Sequence, residues 1–561
     1  MRHLLIAAAA PLVLLSACAA TGEGGPRPAA RETFGQSPYG MFLAGQAALN
    51  DGRSGEAARF FEQANAQAVT ATEVSERAFT AALLAGDIDR AVQMAPQGPE
   101  VSEATNRMAR LAEAVEAIAD GRGKPARELL GGDRIGFPHR GVAALLAPWA
   151  AAQAGDVEAS LVRPQVRGDR VVDYFGQLGR AHLFERAKRY DEAETDFKAV
   201  GQAAGSEMAV LAYGEFLERR GRRADAVALY DTLLAQEPSS IAVKSAKARA
   251  AAGKAPPPQP TIREGAAQAM LAPAATMLQA KQNQLALAYL RLALRLDPQR
   301  DEAWVMVGDI MQAAGDSEAA RQAYSKPKAN SPEFAAAQAK LAWTYQSAKD
   351  TETALKLARA AAASGDADAR MTLADLLRAN EQYAEAAEVL SGLIGEAKTP
   401  DWRLYFARGV SLERLGRWKE AETDLLAALK VRPDEPELLN YLGYTWIDRG
   451  ERLPEALAMV EKAVASNPRS GAMIDSLGWA HYRMGDYKKA VEKLEQAVEL
   501  EAGDPEINNH LGDAYWMVGR KDEAVFQWRR VLTLDPEPRI KADAEAKLAS
   551  GLGPKRQVAE H

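Results

Sequence analysis

Among 561 residues there is one cysteine, Cys18. A chain with a single thiol has no internal disulfide to staple it, so its stability has to come from packing. Aromatic residues make up only 7% of the chain, and small and aliphatic side chains must do most of that packing. The six histidines are His3, His139, His182, His481, His510 and His561, and no two of them stand at the spacing of an H-E-x-x-H metal site. There is no G-x-S-x-G elbow and no glycine loop running into Lys-Ser or Lys-Thr. The 69 basic and 76 acidic residues are mixed along the chain, for a net charge of −7. Without a basic stripe, a nucleic-acid partner is excluded from the expectations. Past Leu15, no stretch approaches the ~20 apolar residues of a membrane-spanning helix.

What is present begins at the first residues. Arg2 and His3 precede an apolar run from Leu4 to Leu15, followed by Ser16-Ala17-Cys18. A charged start, a short apolar core and a small-residue site make the layout of a secretory signal. Leu15-Ser16-Ala17-Cys18 resembles the lipobox of bacterial lipoproteins. That resemblance implies cleavage before Cys18, lipidation of its thiol and attachment to a membrane through the N-terminal lipid. Each buried methylene of an acyl chain contributes ~0.8 kcal/mol, so several chains hold firmly where one does not. Ala19 and Ala20 follow the cysteine with no Asp, which in that family implies the outer membrane, facing the periplasm. The alternative is an ordinary signal and a soluble periplasmic protein.

The rest of the chain repeats itself. One copy reads Leu477-Gly478, Gly485, Ala490, Leu494 and Ala497; the next reads Leu511-Gly512, Tyr515, Gly519, Ala524, Trp528, Val531 and Pro536. Leu477 to Leu511, Gly485 to Gly519 and Ala490 to Ala524 are each 34 residues apart. This pattern resembles the tetratricopeptide repeat, which implies an all-α fold, an α-solenoid of tetratricopeptide-like helical hairpins. The register predicts eight repeats starting near residues 267, 301, 335, 367, 402, 436, 471 and 505. Gly315-Asp316-Ser317 looks like the Gly-Asp-Ser of some esterases, but Gly-Asp recurs at Gly485-Asp486 in the same turn of another repeat. It reads as a turn.

The expected organisation is a signal at 1–17, a lipidated tether at 18–37 and a degenerate helical solenoid at 38–250. A Pro-rich linker at 251–263, with Pro256-Pro257-Pro258 and Pro260, is either a spacer between two solenoid blocks or a tight loop within one. The repeat array follows at 264–536, then a capping helix at 537–549 and a tail at 550–561. In the capping helix, Ile540, Ala544 and Leu548 are expected to face the array, with Asp543 and Lys547 facing water.

The resemblance also implies where a partner binds: a concave groove lined by fixed positions of the first helix of each repeat. Mapped onto the last three repeats, these positions give Asn440 and Tyr444, then Asp475, Trp479, Tyr482 and Arg483, then Asn509, Asp513 and Trp516. Aromatic anchors among amides and carboxylates suit an extended peptide or helix of basic or neutral character. The expected function is a non-catalytic scaffold or adaptor for envelope proteins or peptides, with no metal and no cofactor. The alternative is a module that binds or helps export a glycan, since stacked aromatics also suit sugars.

Overall fold

The computed structural model describes residues 37–67, 72–204, 206–237 and 240–552. Cys18, the signal, nearly all of the tether and the tail from 553 onward lie outside the described residues. Among the described residues all regular structure is helical. The described residues divide into two compact units, 37–376 and 377–552, with the boundary inside the helix Ala367–Ala379.

The first unit is built from antiparallel hairpins. They begin with Pro38–Asn50 and Ser54–Gln67 and continue through irregular pairs such as Glu103–Ala119 with Gly123–Leu130. One hydrophobic core runs from Ala48 to Leu341. Its centre is the helix Asn283–Leu296, which buries Ala286, Leu287, Ala288, Tyr289, Leu290, Leu292, Ala293, Leu294 and Leu296. A helix apolar on most sides has to be covered on most sides. Here helices Thr72–Ala85 and Glu103–Ala119 cover it. Polar ties fasten them: Arg295 to Glu116 at 2.7 Å, Arg291 Nε to the Leu84 carbonyl at 3.1 Å, and Tyr289 to His139 at 2.8 Å. Helix Ile262–Gln279 packs likewise on Arg140–Gln153, and Gly265 lies so close to Trp149 that a Cβ there would sit 2.1 Å from the indole.

The proline-rich segment therefore lies inside one unit. Arg186 donates to the Pro260 carbonyl at 2.7 Å and Arg219 to the Pro257 carbonyl at 3.1 Å, and helices on both sides share one core. The boundary between compact units falls at 376/377, so of the two readings of 251–263 the loop within one unit fits.

The second unit holds the hairpins Trp402–Arg414 with Trp418–Val431, Pro436–Arg449 with Leu453–Ser466, Gly471–Arg483 with Tyr487–Leu500, and Pro505–Met517 with Lys521–Val531. We call the first helix of each hairpin A and the second B. The A helices start at the residues the repeat register predicts. Turns between A and B use Gly485 and Gly519 at φ +87° and +85°, where a side chain would be strained. Asp486 then caps helix B by accepting from the Lys489 amide. Small residues set the spacing within hairpins: Gly512 faces Trp528 closely enough that a Cβ would lie 2.5 Å from its Nε1. The final helix, Pro538–Ser550, packs on Lys521–Val531 and Pro505–Met517 and is called the cap helix below. Ile540 and Ala544 are buried against Val531.

Candidate partner-binding groove

The A helices of the second unit touch their successors as well as their own B helices. Positions that an open array would leave facing inward therefore face the next A helix. Polar groups placed there leave water, and each needs a partner.

Asp475 is 4% exposed, and both of its carboxylate oxygens lie 3.0 Å from Nδ1 of the buried His510. Burial drives the Asp475 carboxyl up from its ordinary value against the opposing pull of His510. Burial also pulls His510 down, but Asp475, Glu506 and Asp513 together outweigh it, and His510 ends above its ordinary 6.5. Trp479 lies flat between two rings, 4.0 Å from His510 at 12° and 4.5 Å from Tyr482 at 7°. Its Nε1 is buried without a hydrogen-bond partner. Tyr444 reaches past the intervening repeat to donate to Glu506 at 2.9 Å. Burial, reinforced by the nearby carboxylates, holds its hydroxyl well above the usual tyrosine range.

The last repeat is tied to the cap helix in the same way. Asp513 is 4% exposed and accepts from Trp528 Nε1 at 3.0 Å and from Lys547 Nζ at 2.8 Å. Asn509 donates to Asp543 at 2.8 Å and accepts from Lys547 at 3.2 Å. Trp516 packs beside Trp528 at 5.3 Å, and Gly551 lies against its outer edge.

These placements correct several expectations. Asp475, Asn509 and Asp513 are ties between successive helices rather than open groove acceptors, and Asn440 is buried at 3% exposure. Lys547, expected in water, is 9% exposed and neutralises Asp513. Tyr444, Trp479, Tyr482 and Trp516 are half-buried rather than open anchors. Both faces of Trp479 are occupied, which leaves no free platform for a sugar ring. Arg483 donates to the Asp448 carbonyl at 2.5 Å and so braces the neighbouring A helix. His510, on the A helix after that of His481, is taken by Asp475.

What stays open is a cleft of about 380 Å³ beside this network. Tyr441 and Tyr444 form its apolar wall with Pro505 and Ile540. Among the described residues six carboxylates line it, from Glu413, Asp448, Asp504, Glu506, Asp535 and Glu537, with two cations, Arg414 and Arg539. Sequence reasoning missed Tyr441, Glu413 and Glu537 as lining. Glu413 stands near the end of one helix and Glu537 in the loop before another, and a repeat register fixed on helix A inner positions places neither.

Comparison with known proteins decides the kind of chain that builds this site. Family models described as tetratricopeptide repeat match residues 185–250, 339–401, 406–471 and 505–538, and one described as TPR repeat matches 478–519. The chain carries tetratricopeptide repeats. TPR repeat-containing protein PA4667 of Pseudomonas aeruginosa is 34% identical over 141 residues, 25% of this chain and 23% of that protein. The matched stretch thus spans about a quarter of that relative's length. Among solved structures, MamA of Desulfovibrio magneticus RS-1 is 22% identical over 30% of this chain and 94% of its own, with a TM-score of 0.27. The Cut9-Hcn1 hetero-tetramer of APC/C is 15% identical over 91% of this chain and 96% of its own, at 0.31.

Among the described residues no group of three or more His, Cys, Asp or Glu side chains is placed to hold a metal ion. No described helix is long and apolar enough to cross a membrane.

Proposed function

We propose that the protein is a non-catalytic scaffold of the bacterial cell envelope. It is held at the outer membrane through lipidated Cys18 and faces the periplasm, and it docks a basic segment of a partner protein in the cleft of its second unit. The observation that carries the docking is that, among the described residues, six carboxylates and two arginines line a tyrosine wall. Charge of one sign in a recess steers an oppositely charged segment and penalises the wrong one. Tyrosine rings supply contact area at little cost in side-chain freedom. Tetratricopeptide repeats generally serve protein–protein contact, and the lipobox-like start supplies the reading of location.

The test is recovery of partners from crosslinked, detergent-solubilised envelopes. Wild type is compared with a Glu413→Gln, Asp448→Asn, Glu537→Gln variant whose helicity is unchanged. Loss of a defined protein set in the variant is the expected result; recovery of the same set moves the docking site elsewhere. The anchor has its own check. Cys18→Ser should abolish incorporation of labelled fatty acid and release the protein from washed membranes, and retention on the membrane would refute the anchor.

A further inference from the structure

His510 stands one turn from Glu506 on the helix Pro505–Met517, so the two share a helix face. Glu506 lines the cleft, while His510 is buried behind it. The charged groups acting on His510 come from several elements. Glu506 and Asp513 are on its own helix, Asp475 is on Gly471–Arg483, and Lys547 with Asp543 of the cap helix meet it through Asp513. Tyr444 of Pro436–Arg449 and Trp479 of Gly471–Arg483 hold its ring, at 6.4 Å and 4.0 Å. The ring is buried and stacked on Trp479, so a change in its proton is felt there as a change of charge.

His510 and Asp475 form one titrating unit. With the shared proton bound, the pair is neutral overall. With it lost, the pair carries one negative charge, whichever atom gave it up. His510 is 6% exposed and the Glu506 side chain 16%, and a charge change one helical turn away among such buried groups is weakly screened.

Given the cleft as the docking site, we propose that the buried His510–Asp475 pair is a proton-operated control on it. The protonated pair leaves the cleft with a weak hold on a basic segment. The deprotonated pair adds a negative charge behind Glu506 and tightens that hold. Docking of a basic segment and release of the pair's proton are then linked in one equilibrium. Against burial, the surrounding carboxylates raise His510 above its ordinary 6.5, Asp475 foremost, so the tightening is expected above that pH.

The probe is a fluorescein-labelled hexa-arginine peptide, whose guanidinium groups stay charged throughout. Its affinity for the full chain is measured from about pH 6 to about pH 9 at fixed ionic strength. Cleft-directed binding is the part that a Glu413→Gln, Glu537→Gln variant removes. That part is expected to tighten about threefold to tenfold across the range and to stay flat in His510→Gln. Asp475→Asn should move the rise to lower pH, because His510 loses the carboxylate that holds its proton. Titration calorimetry in two buffers of different ionisation enthalpy should count a fraction of a proton released per peptide in wild type and none in His510→Gln. If His510→Gln does not fold, the titration of the His510 ring is followed by NMR in wild type, and the peptide must lower its pKa. A pH-independent affinity in wild type, or the same slope in His510→Gln, overturns the control alone. Absence of cleft-directed binding at every pH overturns the cleft reading and the control with it.

Discussion

Lys547 places its ammonium between Asp513 at 2.8 Å and Asp543 at 2.5 Å, with Asn509 as a third partner. Burial pushes the Asp513 carboxyl up, and the Lys547 ammonium opposes that push more strongly than any other neighbour. Removing one partner of a buried pair leaves the other charge uncompensated and costs about 3–5 kcal/mol, whereas replacing both with apolar groups of similar size is often neutral. Lys547→Ala is therefore expected to lower the stability of the second unit by several kcal/mol. Lys547→Met combined with Asp513→Leu should recover much of that loss, as read by denaturant unfolding. The sequence showed which residues of the cap helix are apolar, and Ile540 and Ala544 are buried as that pattern requires. It did not show Lys547 turning inward, because a helical pattern gives the side of a residue and not the buried carboxylate that waits for it.

At the scale of the helix, small residues made the array legible. Gly478 and Gly512 stand where a B-helix side chain crosses, and Gly485 and Gly519 where the chain turns with positive φ. Those demands recur with each hairpin, so the starts at 402, 436, 471 and 505 could be read directly from the sequence. The proline-rich linker was not legible in the same way. Proline predicts an extended backbone, but the carbonyls of Pro257 and Pro260 are claimed by Arg219 and Arg186 from distant helices. The groove was legible only in its register: Tyr444, Asp475, Trp479 and Asn509 do meet across helices, yet mostly with each other's neighbours instead of solvent. The cap helix provides a test at this scale. Ending the chain after Asp535 uncovers Val531, Asp513 and Trp516. Terminal hairpins of such arrays need a cover, so hydrogen exchange should accelerate across 505–531 first and leave 402–449 protected. Uniform acceleration through the unit would show that the cap stabilises it globally.

At the scale of the whole chain, the buried histidines of the two units answer acid in opposite senses. In the first unit, burial pulls His139 down to about 4 and His182 down to about 3, with Arg107 and Arg219 adding to it. Both fold in the neutral form, while the unfolded chain takes up protons below about 6.5. Their contribution is complete above that value and fades as pH falls from about 6.5 toward 4. In the second unit, His510 is raised, so its contribution is complete below 6.5 and is lost as pH climbs through its folded value. Calorimetry of the full chain between about pH 5 and about pH 8 should show one transition falling and another rising on acidification. Two transitions that fall together would place the controlling charges elsewhere.

Trp479 lies flat on His510 at 4.0 Å and 12°. An excited indole readily gives an electron to a protonated imidazole in such contact, and far less readily to a neutral one. The light emitted by Trp479 should therefore be dim in mild acid and brighten in mild alkali. The molecule carries its own optical indicator at the place where its charge changes.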